Sequence, residues 1–200
     1  MTKVLGLTGG IATGKSTVTQ IFKDYHVPVI SADQVARQVV TPDSPALQEI
    51  VATFGEQYLT ANGELNRRLL GQLVFANSKR LAQLNQIMQP RIRQEMWRQV
   101  TTIKKKQRPR LIVLEIPLLF EQHREHSVDY VMVVSTSTTS QLRRLMTRNH
   151  YDRQEALDRI HSQLPLAQKR QRADVVIDNA GSVEQTRQQV VKWLENQKLI

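Results

Sequence analysis

The stretch "GLTGGIATGKST", Gly6–Thr17, places four glycines around a single lysine near the start of the chain. Residues Gly9–Ser16 match the pattern G-x-x-x-x-G-K-[ST], in which backbone N–H groups surround a phosphate. Glycine permits the close backbone approach and the unusual dihedrals that such a loop requires. The pattern predicts a P-loop in which Lys15 neutralises the β- and γ-phosphates and the Ser16 hydroxyl is a ligand of Mg²⁺.

The sequence on both sides of the loop fits this prediction. The preceding residues "KVLGLT" are apolar and indicate a buried strand. The following residues "KSTVTQIFKDY" carry apolar side chains at helical spacing. Strand, loop and helix in this order are the context in which a P-loop functions.

The composition limits the class of protein and its partners. Two hundred residues, 40% of them hydrophobic, predict one large domain with a small insertion. The absence of cysteine excludes disulfides and thiolate zinc sites. A net charge of +10 favours polyanionic partners such as nucleic acid, anionic lipid or phosphate-rich small molecules. The basic segment Arg143–Arg172 has Tyr151 as its one aromatic residue, which argues against a single-strand nucleic-acid binder.

No feature of the sequence predicts a membrane segment or an export signal. The longest apolar stretch, "LIVLEIPLLF", has ten residues and contains a glutamate. The first predicted strand begins by Lys3, which leaves no room for a signal peptide. We therefore expect a cytoplasmic protein without a membrane partner.

The remaining pattern alternates between strands and helices. Four further apolar runs predict strands: "VPVISAD" (27–33), "RLIVLEIPLL" (110–119), "YVMVVST" (130–136) and "DVVID" (174–178). "TPDSP" predicts a turn in which Ser44 caps a helix that begins at Pro45. Residues 66–103 are helical in pattern, and Pro90 is expected to start a new helix. A final helix is predicted from Val183 to Leu194.

Apolar strands separated by helices predict an α/β fold with a parallel sheet covered on both faces. The carboxyl ends of the strands then lie on one edge, where ligands bind. This edge would carry the P-loop, Asp33, Glu115 and the turn Val134–Thr139.

Two carboxylates at this edge each allow two interpretations. Asp33 can accept a proton from an attacking hydroxyl or help to hold Mg²⁺, or it can be the N-cap of a helix that begins at Gln34. Glu115 interrupts a buried strand, so its charge needs compensation. It either belongs to a site at the sheet edge or pairs with an arginine.

Arg144 and Arg148 lie four residues apart, on one face of the predicted helix after the fourth strand. Such arginines stabilise charge on a transferring phosphoryl group, often from a mobile lid. The alternative is a solvated basic face. Asp178–Gly181 matches the D-x-x-G pattern of GTPases, but it comes too late in the chain and no N-K-x-D motif exists. We interpret it as a strand end and turn, and the size of the chain favours a kinase of small molecules.

Several further pieces make the chain resemble the dephospho-coenzyme A kinase family over nearly its whole length. They are "GLTGGIATGKST", "ISAD" ending at Asp33, Phe54–Gly55, Gly63, Leu65, Arg67, Phe75, "PRI" at 90–92, "IPLLFE" at 116–121, Gln141, Arg144, Arg148 and "RADVVIDNAG" at 172–181. The resemblance implies that MgATP phosphorylates the ribose 3′-hydroxyl of dephospho-coenzyme A, giving coenzyme A and ADP. This is the last step of coenzyme A biosynthesis.

The resemblance also implies a P-loop NTPase-type core (residues 1–60, 108–140 and 172–200), a helical substrate-binding insertion (61–107) and a lid (141–171). Lys15 and Asp33 would be catalytic, with Asp33 as the base, and Ser16 would hold Mg²⁺. ATP is expected to contact Gly9, Gly10, Ala12, Thr13, Gly14, Lys15, Ser16, Thr17, Arg144 and Arg148. Dephospho-coenzyme A is expected to contact Thr8, Asp33, Arg67 and Glu115.

The chain departs from the family pattern at several positions. Ala12–Thr13 stands where Gly-Ser is more usual, and Ser31 where Asp is frequent. Gln89 replaces a histidine, and Glu115 replaces an aspartate. A monomer or weak homo-oligomer that binds no nucleic acid is expected. The alternatives are a kinase of another nucleoside or nucleotide and a basic nucleic-acid-binding ATPase.

Overall fold

The computed structural model describes all 200 residues of the chain. Five β-strands form one sheet in which every neighbouring pair is parallel. In chain order they are β1 (Lys3–Gly9), β2 (Val29–Ser31), β3 (Leu111–Glu115), β4 (Tyr130–Ser135) and β5 (Val175–Asp178). The α-helices are α1 (Lys15–Asp24), α2 (Ala32–Gln38), α3 (Pro45–Phe54), α4 (Arg67–Ala76), α5 (Ser78–Gln107), α6 (Thr138–Asn149), α7 (Arg153–His161), α8 (Leu166–Gln171) and α9 (Val183–Asn196). The predicted α/β fold, with a parallel sheet flanked by helices, is confirmed.

The strand order β2-β3-β1-β4-β5 places β1 in the centre of the sheet. The chain leaves β1 towards the β2 edge, returns through β3 and then continues to β4 on the other side of β1. The carboxyl end of β1 is therefore the point where the strand order reverses, and ligands of open α/β sheets bind at such points. The loop that begins after Gly9 starts there.

One face of the sheet packs against α1 and α9. Leu5, Leu7 and Met132 of the sheet share a cluster of buried side chains with Phe22 of α1 and Leu194 of α9. The strands are apolar on both faces because a parallel sheet is covered on both sides. The continuous apolar runs in the sequence have this cause.

The contacts of the chain define two compact units, Met1–Ser31 with Ile103–Ile200, and Ala32–Thr102. The first unit contains the whole sheet. The second unit consists of α2, α3, α4 and most of α5, and it has buried apolar side chains of its own, such as Ile50 and Leu70. The predicted start of α3 is confirmed, because Pro45 is its first residue and the Ser44 hydroxyl accepts a hydrogen bond from Leu47 N–H.

The prediction that Pro90 starts a new helix is wrong. The helix α5 runs from Ser78 to Gln107 and contains Pro90 in its interior. The buried residues Ile87 and Ile92, on either side of Pro90, keep the chain helical through tertiary packing. The Arg91 side chain also donates a hydrogen bond of 2.7 Å to the carbonyl oxygen of Ile87, in the turn where the proline weakens the helical pattern.

Candidate active site

The P-loop connects the end of β1 to the first turn of α1. Gly14 precedes α1 with a φ of 93°, which favours glycine. A Cβ atom at Gly14 would also lie 1.9 Å from Nδ2 of Asn179, so this position excludes every other residue as long as Asn179 stays in place. The N-terminal N–H groups of α1 lack helical partners and form a site for an anion at the centre of the sheet.

The charged and hydroxyl side chains of the loop are distributed as a phosphate site requires. The Lys15 ammonium lies over the loop and donates to the carbonyl oxygen of Gly10 at 3.0 Å. Ser16 is exposed in the first turn of α1. Thr13 is fully buried, and its hydroxyl donates to the Gly10 carbonyl at 2.9 Å. Thr13 therefore shapes the loop with its side chain and has only its backbone to offer a ligand.

The two arginines of α6 differ in their contacts. Arg144 is half-buried and donates to the carbonyl oxygens of Ala12 at 3.3 Å and Thr13 at 3.2 Å. Its other terminal nitrogen donates to the carbonyl oxygen of Asn179 at 2.9 Å. Arg148 is exposed, and its Nε donates to the side chain of Asn149. Arg144 thus braces the P-loop, whereas Arg148 lies in the last turn of α6 with its guanidinium at the surface.

Two of the expected substrate contacts lie on β1, the strand that leads into the P-loop, and on its neighbour β3. Thr8 is fully buried, and its hydroxyl donates to the Pro117 carbonyl at 3.1 Å. Its side chain therefore joins β1 to the segment after β3 in this structure. Glu115 is the last residue of β3, paired in register with Leu7 and Ser31, and it forms no ion pair. Of the two interpretations of Glu115, the structure favours a carboxylate at the sheet edge over an arginine pair.

Asp33 belongs to the second unit, two residues beyond the end of β2. It is exposed and lies in the first turn of α2. The N-cap interpretation is wrong, because α2 begins at Ala32 and Asp33 is already helical. Its carboxylate makes no hydrogen bond or ion pair and is available for chemistry.

Arg67, the other expected substrate contact in this unit, is the first residue of α4. Its Nη2 donates to the carbonyl oxygen of Arg37 at 3.4 Å. Burial and the nearby Arg37 charge lower the pKa of the Arg67 guanidinium from its ordinary value. Two cations close together at a helix N-terminus make a local preference for an anion.

The sequence interpretation assigned no role to three residues that contact the P-loop. The Nδ2 of Asn179 donates to the Thr13 carbonyl at 2.8 Å, and its Oδ1 accepts from the buried Thr186 hydroxyl. Gln141 and Gln163 bind the backbone of Ile11. A polar residue directly after the buried strand β5 was a signal for Asn179, whereas nothing local distinguishes Gln163 from the other glutamines of the chain.

Known proteins resemble the chain in sequence and in structure. The family model described as "CoaE: Dephospho-CoA kinase" matches residues 3–185. The dephospho-CoA kinase of Enterococcus faecalis is 48% identical over 197 residues, 98% of either chain. The solved dephospho-CoA kinase from Campylobacter jejuni has a TM-score of 0.74 at 29% identity and covers 98% of this chain and 97% of its own. A shikimate kinase from Bacteroides thetaiotaomicron, with a TM-score of 0.52 and 14% identity over 98% of this chain and 99% of its own, shares the fold.

A P-loop at the reversal point of a five-stranded parallel sheet defines the class of P-loop kinases. The family match extends over most of the length of the chain. The chain belongs to the dephospho-coenzyme A kinase family. This membership confirms the predicted resemblance and the predicted activity, a phosphotransferase at the last step of coenzyme A biosynthesis. None of its helices is long and apolar enough to cross a membrane.

Proposed function

We propose that this chain transfers the γ-phosphate of MgATP to the ribose 3′-hydroxyl of dephospho-coenzyme A through the residues described above. The observation that carries the proposal is the P-loop, with Lys15 at the start of α1, in a chain whose family match spans residues 3–185. The ATP phosphates bind the N–H groups at this helix end, and the Lys15 ammonium neutralises the β- and γ-phosphates.

Two further segments of the chain have roles in this proposal. Residues 141–171 form the lid, and the exposed guanidinium of Arg148 contacts the transferring phosphoryl group from it. Arg144 contributes by bracing the loop carbonyls of Ala12 and Thr13. Residues 61–107 form the insertion that binds dephospho-coenzyme A.

The P-loop contains one side chain suited to Mg²⁺. The Ser16 hydroxyl is exposed in the first turn of α1 and makes no hydrogen bond within the protein. It is a neutral oxygen donor, the kind of ligand that Mg²⁺ takes together with substrate phosphates and water. Bound there, Mg²⁺ supplies charge neutralisation of the ATP phosphates.

Asp33 is the general base of the proposed reaction. A ribose hydroxyl is a poor nucleophile, and a positioned carboxylate orients it and accepts its proton. The Asp33 carboxylate is exposed and makes no hydrogen bond or ion pair, and it lies in the first turn of α2, two residues beyond the end of β2.

The variant Asp33→Asn tests this role. We expect kcat to fall by roughly 10²–10⁴-fold, because the amide cannot accept the proton. ATP affinity stays near that of the unmodified protein, and the free energy of unfolding falls by at most about 1 kcal/mol from the lost charge at the α2 N-terminus. Asp43→Asn, an exposed change in the same unit, is the control. Turnover of Asp33→Asn within a few-fold of that control would exclude the base role.

Arg67, supported by Arg37, binds a phosphate of dephospho-coenzyme A in this proposal. Burial is the larger cause that lowers the pKa of the Arg67 guanidinium, and repulsion from the Arg37 guanidinium lowers it further. An anion that binds between the two groups relieves this repulsion. Charge-assisted hydrogen bonds from arginine to phosphate then add to the affinity.

Arg67→Ala is expected to raise the KM for dephospho-coenzyme A by about 10-fold or more, with a much smaller change in kcat. The neighbouring Arg68→Ala is the matched control, since Arg68 is exposed and makes no hydrogen bond or ion pair. Steady-state kinetics with each substrate varied in turn separate the effects. Equal KM values for the two variants would remove Arg67 from the substrate site.

The choice of acceptor is tested by measuring phosphate transfer from ATP to dephospho-coenzyme A, adenosine, AMP and other nucleoside monophosphates. The proposal requires the highest kcat/KM for dephospho-coenzyme A. An ATPase rate stimulated by RNA or DNA would support the nucleic-acid alternative instead. A cytoplasmic location and a monomeric or weakly oligomeric state stay predictions.

A further inference from the structure

The P-loop residue Ile11 has both of its backbone groups bound by glutamine side chains. The Nε2 of Gln141 donates to the Ile11 carbonyl oxygen at 2.6 Å. The Oε1 of Gln163 accepts a hydrogen bond from Ile11 N–H at 2.8 Å. One peptide segment of the phosphate-binding loop is thus held between two amide groups from distant parts of the chain.

The Gln141 half of this arrangement is built into the interior. Gln141 lies in the first turn of α6 and is only 3% exposed. A Cβ atom at Gly10 would lie 2.6 Å from its Nε2, so the absence of a side chain at Gly10 makes room for the amide. The loop and the glutamine are therefore shaped to each other.

Gln163 lies in the segment between α7 and α8, and contacts made by residues close to it in the chain hold this segment in place. The next residue, Leu164, donates its N–H to Oε1 of Glu121 at 3.1 Å. The same carboxylate oxygen pairs with the Lys169 ammonium at 2.7 Å, and the Lys169 side chain is fully buried. Gln163 is therefore held in reach of the P-loop by a fixed point on the segment after β3.

We propose that Gln141 and Gln163 form a clamp on Ile11 that positions the P-loop for ATP, so that α6 and the α7–α8 connection control the geometry of the phosphate site. Both are positioning residues, because each acts on the loop backbone rather than on a substrate. The inference rests on the proposed function in one respect, that the P-loop binds the phosphates of ATP. It assigns to these side chains a role in ATP affinity and turnover.

The chemistry of the clamp is asymmetric, which permits a charge-matched test. Ile11 N–H needs an acceptor, and a glutamate at position 163 still supplies one. The Ile11 carbonyl needs a donor, and a glutamate at position 141 instead presents a carboxylate oxygen to it. Gln163→Glu and Gln141→Glu each add one negative charge beside Ile11. Only Gln141→Glu removes a group that the clamp needs, the N–H donor to the Ile11 carbonyl.

The experiment measures ATP binding by calorimetry without an acceptor substrate, then kcat with dephospho-coenzyme A, and the melting temperature of each variant. Gln163→Met, which keeps the length but removes the acceptor, should weaken ATP binding and lower kcat by roughly 3- to 10-fold each, the range for one net hydrogen bond. Gln163→Glu should exceed Gln141→Glu in ATP affinity by about 10-fold or more. Gln168→Met, at an exposed position of α8, should match the unmodified protein.

The clamp is overturned if Gln163→Met has the same ATP affinity and kcat as Gln168→Met, or if Gln163→Glu binds ATP no better than Gln141→Glu. If Gln141→Glu fails to fold, the comparison at position 163 decides alone, because that residue is only half-buried. A purely structural role would lower the melting temperature and leave ATP affinity unchanged, which also overturns the proposal. Since binding is measured without an acceptor, a chain that does not phosphorylate dephospho-coenzyme A would still report on the clamp.

Discussion

At the scale of single residues, Ala12 is the strained position of the P-loop. It adopts a left-handed backbone conformation with a φ of 57°. This conformation costs a residue with a Cβ about 1–2 kcal/mol, because the Cβ approaches the following carbonyl oxygen. Arg144 holds the Ala12 carbonyl at 3.3 Å and so helps to keep the loop in this state. The resemblance to the family marks this as a position where glycine is more usual.

Ala12→Gly is expected to leave the free energy of unfolding unchanged or to raise it by up to about 1 kcal/mol. The relief of left-handed strain is partly offset by about 0.4–1 kcal/mol from the greater flexibility of glycine in the unfolded chain. Ala82→Gly, at an exposed position inside α5, is the control and should lower stability by about 1 kcal/mol. Urea denaturation compares the two, and an equal loss in both variants would contradict the strain at Ala12.

At the scale of secondary-structure elements, α5 shows tertiary packing overcoming a local signal. Pro90 lacks the N–H that would bond to the carbonyl four residues earlier, and its ring opposes a regular helix. The helix nevertheless continues for 30 residues, from Ser78 to Gln107. The buried residues Ile87, Met88 and Ile92 lie around the proline, and their burial stabilises the helix on both sides.

Pro90→Ala should raise the free energy of unfolding by about 1–2 kcal/mol. Alanine restores the missing hydrogen bond, and its helix propensity is about 3 kcal/mol more favourable than that of proline. Part of this gain is lost because proline restricts the unfolded chain and alanine does not. Pro90 is exposed, so no core packing is lost. Gln86→Ala, an exposed change one turn earlier in α5, should alter stability by less than about 0.5 kcal/mol. Chemical denaturation measures both. A loss of stability in Pro90→Ala would mean that the packing of α5 requires the local geometry of the proline.

At the scale of the whole molecule, a buried ion pair joins distant segments of the first unit. Lys169 of α8 is fully buried and lies 2.7 Å from Glu121, and no other acceptor contacts its ammonium group. A second pair nearby, Arg172 with Glu125, places the Arg172 guanidinium 4.6 Å from the centre of the Phe120 ring. These contacts attach α8 to the segment that follows β3.

Lys169→Met is expected to lower the free energy of unfolding by about 3–5 kcal/mol, because it leaves the Glu121 carboxylate without its charge partner. The double variant Glu121→Leu with Lys169→Met should recover most of that loss, since an apolar pair of similar volume avoids the cost of burying charges. Arg187→Ala, which breaks the exposed pair with Asp24, is the control and should lower stability far less than Lys169→Met does, because solvent screens that pair. Denaturant titrations measure all three, and a double variant as unstable as Lys169→Met would contradict this account.

The sequence by itself determined the class of fold, the P-loop and the family. Continuous apolar strands separated by amphipathic helices allow few arrangements other than a covered parallel sheet. Local chemistry also determined how a helix begins, as with Ser44 and Pro45 at the start of α3. These features depend on residues close together in the chain, so a local pattern contains their cause.

Only the tertiary structure decided which side chains surround the P-loop. Asn179, Gln141 and Gln163 lie 166, 130 and 152 positions from the loop residues that they bind. The structure likewise decided that Asp33 lies inside α2 and that α5 continues through Pro90. Periodicity identifies the buried face of an element, but it contains no information on which distant side chain meets that face. Such contacts are set by how the elements pack, because the burial of many apolar side chains together outweighs the preference of any single residue.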